Sequence, residues 1–142
     1  MTRLAMVAAL ALVASAPLAA QEKAPRKDVV VKSKPVALEP SFQGRRLSEY
    51  VADLSSDSPS TRHHAAYAIC GFGAAGAPAV PGLIKLLDDD QAVVRYPAAV
   101  CLGEIGPAAK DAIPALEKAV DDRSDDVGHM ARKALKKIKG EG

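Results

Sequence analysis

Apolar residues return every three or four positions along most of the chain beyond residue 46. Leu47, Tyr50, Val51 and Leu54 make one stripe, Val80, Leu83, Ile84 and Leu87 a second, and Ile113, Leu116 and Val120 a third. That spacing places each set on one face of a helix. Between the stripes run Ala-rich stretches, near Pro59 to Phe72, Ala92 to Ile105 and Asp125 to Ile138, which also read as helices. Their small residues, Ala65, Ala66, Ala68, Ala98 and Ala99, let helices approach closely while Leu and Val of the paired helix fill the space between. The pattern predicts an all-α chain.

The pattern also repeats. Arg62-His63-His64-Ala65-Ala66-Tyr67-Ala68-Ile69-Cys70-Gly71-Phe72-Gly73 lies over Arg95-Tyr96-Pro97-Ala98-Ala99-Val100-Cys101-Leu102-Gly103-Glu104-Ile105-Gly106, about 33 residues further on. Ala79-Val80-Pro81-Gly82-Leu83 and Ala112-Ile113-Pro114-Ala115-Leu116 keep the same register. Such a period predicts a helical solenoid: a half repeat, two full repeats and a final helix, each helix pair burying its stripe only against a neighbour. Punctuation agrees with this division. Ser58 is a capping hydroxyl before Pro59 at the first helical position, and Asp90 and Ser124 take the capping place in the following repeats. Gly73, Gly76 and Gly106 fall where a helix must stop, while Pro81 and Pro114 sit in first turns, whose amides lack a carbonyl partner in any case.

Ahead of the helices the composition changes twice. Thr2 and Arg3, the apolar run from Leu4 to Ala14 and the small residues from Ser15 to Ala20 have the order of a secretory signal peptide over residues 1–20, cut after Ala20. The run is shorter than the roughly 20 apolar residues of a spanning helix. The mature chain is therefore expected to have no stable membrane insertion and to be periplasmic or secreted. Residues 21–44, with Pro25, Pro35, Pro40 and interspersed Lys, read as a disordered linker in which Val29-Val30-Val31 alone has strand character. Residues 45–142 form the repeat domain, roughly 100 residues and one modest core.

Charge narrows the function classes. The chain has 19 Lys and Arg against 17 Asp and Glu, and signal removal takes away only Arg3, so the mature protein is nearly neutral with both signs mixed. No basic stripe of the kind that binds nucleic acid runs through it. Aromatic residues are 4% of the chain and Trp is absent, so the core must come from Ala, Leu, Val and Ile.

No nucleophile, base and oxyanion set can be assembled, and no catalytic residue is expected. His63 and His64 point about 100° apart on a helix and do not converge on one metal. The acidic clusters Asp88-Asp89-Asp90, Asp121-Asp122 and Asp125-Asp126 recur in turns, where capping and pairing with Arg62 and Arg95 account for them, and the spaced ligands of a calcium loop are missing. Cys70 and Cys101 sit on adjacent Ala-rich helices but are offset by two residues in register. Two states stay open: a pair of small buried thiols, which the offset favours, or a disulfide, which export permits. No Cys-x-x-Cys marks a redox enzyme.

Val94-Arg95, Ala98-Ala99, Leu102-Gly103-Glu104-Ile105-Gly106 and Ala112-Ile113-Pro114-Ala115-Leu116 together resemble the HEAT-like repeats named after phycobilisome lyases. The lead-in Phe42-Gln43-Gly44-Arg45 resembles that of exported bacterial members. The resemblance implies a right-handed α-α superhelix that binds another protein, carries no cofactor and catalyses nothing. It also implies one alternative, an enzyme or cofactor-handling accessory similar to deoxyhypusine hydroxylase, whose repeats hold iron through His-Glu pairs. The matching positions here are His63-His64, Tyr96-Pro97 and His129-Met130, so only His63 and His129 fall on the His place and no Glu stands on the Glu place. A di-iron centre needs those carboxylates. The expected function is thus a non-catalytic, exported adaptor whose surface includes Glu49, Lys85, Glu117 and Lys118. On the last helix Arg132, Lys133, Lys136, Lys137 and Lys139 serve either as a polar cap to the stack or as a docking patch for an acidic partner.

Overall fold

The computed structural model describes residues 39–141, so the expected signal peptide, the Val29-Val30-Val31 run and most of the linker lie outside the described residues. Helices α1 (Leu47–Asp53), α3 (Val80–Leu86) and α5 (Ile113–Ala119) are the apolar stripes. Helices α2 (Pro59–Cys70), α4 (Ala92–Ile105) and α6 (Asp125–Lys139) are the Ala-rich stretches. The described chain is an all-α helical repeat. A tight turn joins α1 to α2, α3 to α4 and α5 to α6, giving three helical pairs. These are the six helices of the predicted half repeat, two repeats and final helix, divided at the other joint. Successive pairs are linked by two 3₁₀ segments, Gly73–Ala79 and Gly106–Ala112, which the apolar periodicity does not signal. Gly73 (φ 52) and Gly106 (φ 71) open these segments in the left-handed region. Gly76 is instead buried in the first, with Ile69 and Ile105 at contact distance from where a Cβ would stand.

Before α1 a short antiparallel hairpin pairs β1 (Ser41–Phe42) with β2 (Arg45–Arg46). Its tip is Gln43-Gly44, both at positive φ (52 and 76), as two-residue hairpin turns require. The helical body is thus entered within residues expected to be linker. Phe42 packs edge-on to Phe72 at 6.0 Å and Tyr50 to Phe72 at 6.2 Å, while the Tyr50 hydroxyl donates to the Phe42 carbonyl at 3.1 Å. This aromatic cluster closes the first pair.

The core follows from which residues face inward. Leu47, Leu54, Leu83, Leu86, Leu87 and Leu116 from the short helices meet Ile69, Leu102, Ile105 and Ile138 from the long ones, all buried. Packing is most extensive between the Ala-rich helices in succession, α2 on α4 and α4 on α6. Small side chains set that approach: a Cβ placed on Gly103 of α4 would lie 3.1 Å from the Ala134 α-carbon of α6. Among the described residues no helix is long and apolar enough to cross a membrane.

Candidate binding surface

One set of polar contacts recurs through the stack and fixes how the helices are presented. The Arg62 Nε donates to Asp89 Oδ2 at 2.7 Å, and its Nη1 to the carbonyls of Ser56 and Asp57 at 2.8 and 3.0 Å. One repeat later the Arg95 Nε donates to Asp122 Oδ2 at 2.8 Å and its Nη1 to the carbonyls of Asp89 and Asp90 at 2.7 and 3.1 Å. Each arginine therefore ties the turn of its own repeat to the acid of the next. The helix starts use the same residues. Ser56, Asp89 and Asp122 each accept, through a side-chain oxygen, the amide of the residue two positions on, at 3.3, 3.0 and 2.8 Å. Ser58 caps α2 as expected, accepting from the Thr61 amide. Two expected caps are corrected: Gln91, not Asp90, precedes α4, and the Ser124 hydroxyl makes no cap bond. The carboxylates two residues upstream have taken that place because they also neutralise an arginine.

Arg95 is only 3% exposed. Its guanidinium holds the Asp122 carboxyl below the ordinary carboxylate range, against the effect of burial and with help from the Ser124 amide, and Asp122 in turn raises Arg95. A cavity of about 550 Å³ opens over this ladder, but its charged walls pair with one another, Lys118 with Asp88 at 3.2 Å and Arg123 with the Asp90 carbonyl. Within the acidic clusters, Asp89 and Asp122 are structural joints.

Cys70 and Cys101 are disulfide-bonded, with α-carbons 4.5 Å apart. The preference for two thiols rested on their two-residue offset, and the geometry of parallel helices explains why that offset helps. Equivalent residues of α2 and α4 point the same way and cannot face each other. Two helical residues turn about 200° and rise about 3 Å, so a forward-facing residue of α2 meets the backward-facing residue two places earlier in the register of α4. The next interface repeats this relation with Gly103 and Ala134.

The surface residues singled out from sequence are exposed but do not form one row. Glu49 accepts from the Arg46 amide at the start of α1 and lies 3.6 Å from Arg45. Lys118 pairs with Asp88, and Glu117 pairs with Lys139 at 3.3 Å. Lys85, in the last turn of α3, shares the register position of Lys118. On α6, Lys137 turns back to Glu104 of α4, Arg132 donates to the Val120 carbonyl, and Lys133 and Lys136 are exposed. Arg132 and Lys136 stand where α2 and α4 carry Ala66, Cys70, Ala99 and Gly103, the residues that receive the next helix. On α6 these two positions are charged and exposed.

A different surface emerges on the Ala-rich helices. Of the five aromatic residues, three make the cluster that closes the first pair, while Tyr67 and Tyr96 are left 64% and 40% exposed. Tyr67 lies one turn after His63 on α2, their rings 6.1 Å apart. Tyr96 holds on α4 the register position of His63, and His129 holds it on α6; Val93 lies one turn before Tyr96 and is also exposed. Three parallel helices thus present a row of rings on one side. The signal was available in the sequence, as bulky residues breaking an alanine pattern at positions facing neither neighbour.

A comparison with protein families matches HEAT repeats over residues 48–137, more than half of the chain. The chain belongs to the HEAT-repeat family. No curated protein matches it.

Within this HEAT-repeat chain His63 and His129 lie two repeats apart, with Tyr96 at the equivalent place between them. Among the described residues no three His, Cys, Asp or Glu side chains gather into a cluster that could hold a metal ion. HEAT repeats generally mediate protein–protein interaction, and the exposed rings of Tyr67 and Tyr96 are a surface of that kind.

Proposed function

We propose that this HEAT-repeat protein is a non-catalytic adaptor of the cell envelope that holds a protein partner on the outer side of its Ala-rich helices. The observation that carries the reading is the exposure of Tyr67 and Tyr96 on neighbouring helices, outside the ring cluster that engages Phe42, Tyr50 and Phe72. Tyrosines supply large contact area at low conformational cost and are enriched where proteins bind. His63 and His129 extend the row and Lys133 gives it a basic end. Export is supported by the signal-like N-terminus and by the Cys70–Cys101 bond, since disulfides persist in oxidising compartments. The motif Leu102-Gly103-Glu104-Ile105-Gly106 supports a place among the phycobilisome-lyase-like repeats of exported bacterial proteins.

The test is cross-linked capture from the cell envelope by the tagged full chain. The parent protein is expected to retain one stoichiometric protein, Tyr67→Ser/Tyr96→Ser to lose it, and Arg132→Glu/Lys136→Glu to keep it. Loss with the charge reversal alone would move the site to the end of α6. Capture of nothing by the parent chain would overturn the adaptor reading.

A further inference from the structure

The two sulfurs of the disulfide are not equally placed. Cys101 lies on α4 and is fully buried, its sulfur 2.7 Å from the Ala66 carbonyl oxygen of α2. Cys70 is the last residue of α2 and only half-buried. It shares a cavity of about 440 Å³ with Phe42, His64, Tyr67, Gly71 and Glu104. We infer that Cys70 is the sulfur through which this protein exchanges with external thiols and disulfides, and that Cys101 is the resolving sulfur, reached only by Cys70.

Thiol–disulfide exchange needs the incoming sulfur to meet the attacked one in line with the bond it breaks, so access decides which sulfur reacts. In forming the bond, the Cys70 thiolate attacks a small disulfide such as oxidised glutathione, making a mixed disulfide at Cys70 and releasing one glutathione thiolate. The Cys101 thiolate then attacks the Cys70 sulfur, the second glutathione thiolate leaves, and the chain has lost two electrons and two protons to the oxidant. In the reverse direction a glutathione thiolate attacks Cys70 and the electron pair goes to Cys101. Once the bond is opened, the Cys101 sulfur stays held in the interior beside the mixed disulfide at Cys70. Opening by a small thiol therefore reverts readily, and the bond is kept closed by the interior position of its leaving group. The cavity beside Cys70 has ring walls from Phe42 and Tyr67 and admits the cysteinyl end of a small thiol peptide.

The experiment treats the folded, oxidised full chain briefly with reduced glutathione, quenches exchange with acid, unfolds the chain in the presence of excess N-ethylmaleimide to block free thiols, and maps both cysteine peptides by mass. Glutathione is expected on Cys70 and maleimide on Cys101, at least about tenfold over the opposite pattern, with the preference gone in urea. In parallel, Cys101→Ser treated with oxidised glutathione is expected to take up one glutathione at Cys70, while Cys70→Ser stays unmodified until unfolded. Glutathione on Cys101 of the folded parent chain, or equal labelling of both, overturns the assignment even where a variant fails to fold.

Discussion

Gly103 of α4 and Ala134 of α6 meet at the same point of their interface as Cys70 and Cys101 do one repeat earlier: a Cβ on Gly103 would stand 3.2 Å from that of Ala134. Cβ atoms joined by a disulfide are typically about 3.8 Å apart, so a small shift of one helix would admit a bridge. Gly103→Cys/Ala134→Cys is expected to form a second cross-link on oxidation. Thiol titration of the unfolded, oxidised variant should find no free thiol; two free thiols would mean that the two interfaces are not equivalent.

The native cross-link spans 31 residues. Constraining an unfolded segment of that length contributes about 3.7 kcal/mol in the chain-entropy account. Urea titration of Cys70→Ala/Cys101→Ala against the oxidised parent should show a loss of that order with native helical content retained. A loss below about 0.5 kcal/mol would show that stacking alone sets the stability of this interface.

Arg95 and Asp122 are a buried pair, their side chains 4% and 9% exposed. Removing one member leaves the other charge uncompensated, so Arg95→Met is expected to cost about 3 kcal/mol, and Arg95→Met/Asp122→Leu to recover much of it. The same pair sets an acid limb. Because the Asp122 carboxyl is held below its unfolded value, its contribution is fully present above about pH 5 and is lost as pH falls through the folded value. Chemical denaturation at stepped pH should show parent stability level from about pH 5 to 8 and falling below about pH 4, with a shallower fall in Asp122→Asn. An unchanged acid limb in that variant would mean that other carboxylates control it.

Two glycines separate backbone from side-chain crowding. A Cβ on Gly128 would lie 2.7 Å from the Val120 carbonyl oxygen, whereas one on Gly82 would meet the movable Cδ1 of Leu54 at the same distance. Gly128→Ala is expected to destabilise by about 2 kcal/mol through overpacking, and Gly82→Ala to be nearly neutral as helix propensity offsets a rotamer change. Thermal melts of the two variants in parallel decide this; equal effects would refute it.

The six helices were legible in sequence because each buries one face, and a buried face must recur at the helical period. Leu83 and Leu116, both fully buried, are the clearest cases. The 3₁₀ segments were not legible, since Gly73–Ala79 and Gly106–Ala112 are runs of small residues with no apolar period. The hairpin was missed because its two-residue strands are too short to alternate, and Phe42 acts through contact with Phe72 across the chain. The disulfide was misjudged by comparing equivalent positions, when parallel neighbours touch through inequivalent ones. Of the candidate surface, charge was read correctly as exposed at Glu49 and Lys118 but was already spent on internal pairs, while Tyr67 and Tyr96 carry no such partners.

The arginine ladder also constrains how a chain like this can change length. Each rung joins one repeat to the next, so a duplicated copy of the unit from Arg62 to Arg95 inserted between existing repeats would inherit every rung intact. A copy appended after α6 would lack the rung that joins it to the stack, because Gly128 stands where that arginine would be needed and Arg132 and Lys136 meet the newcomer with charge. Growth of this solenoid is open in its interior and closed at its C-terminal edge.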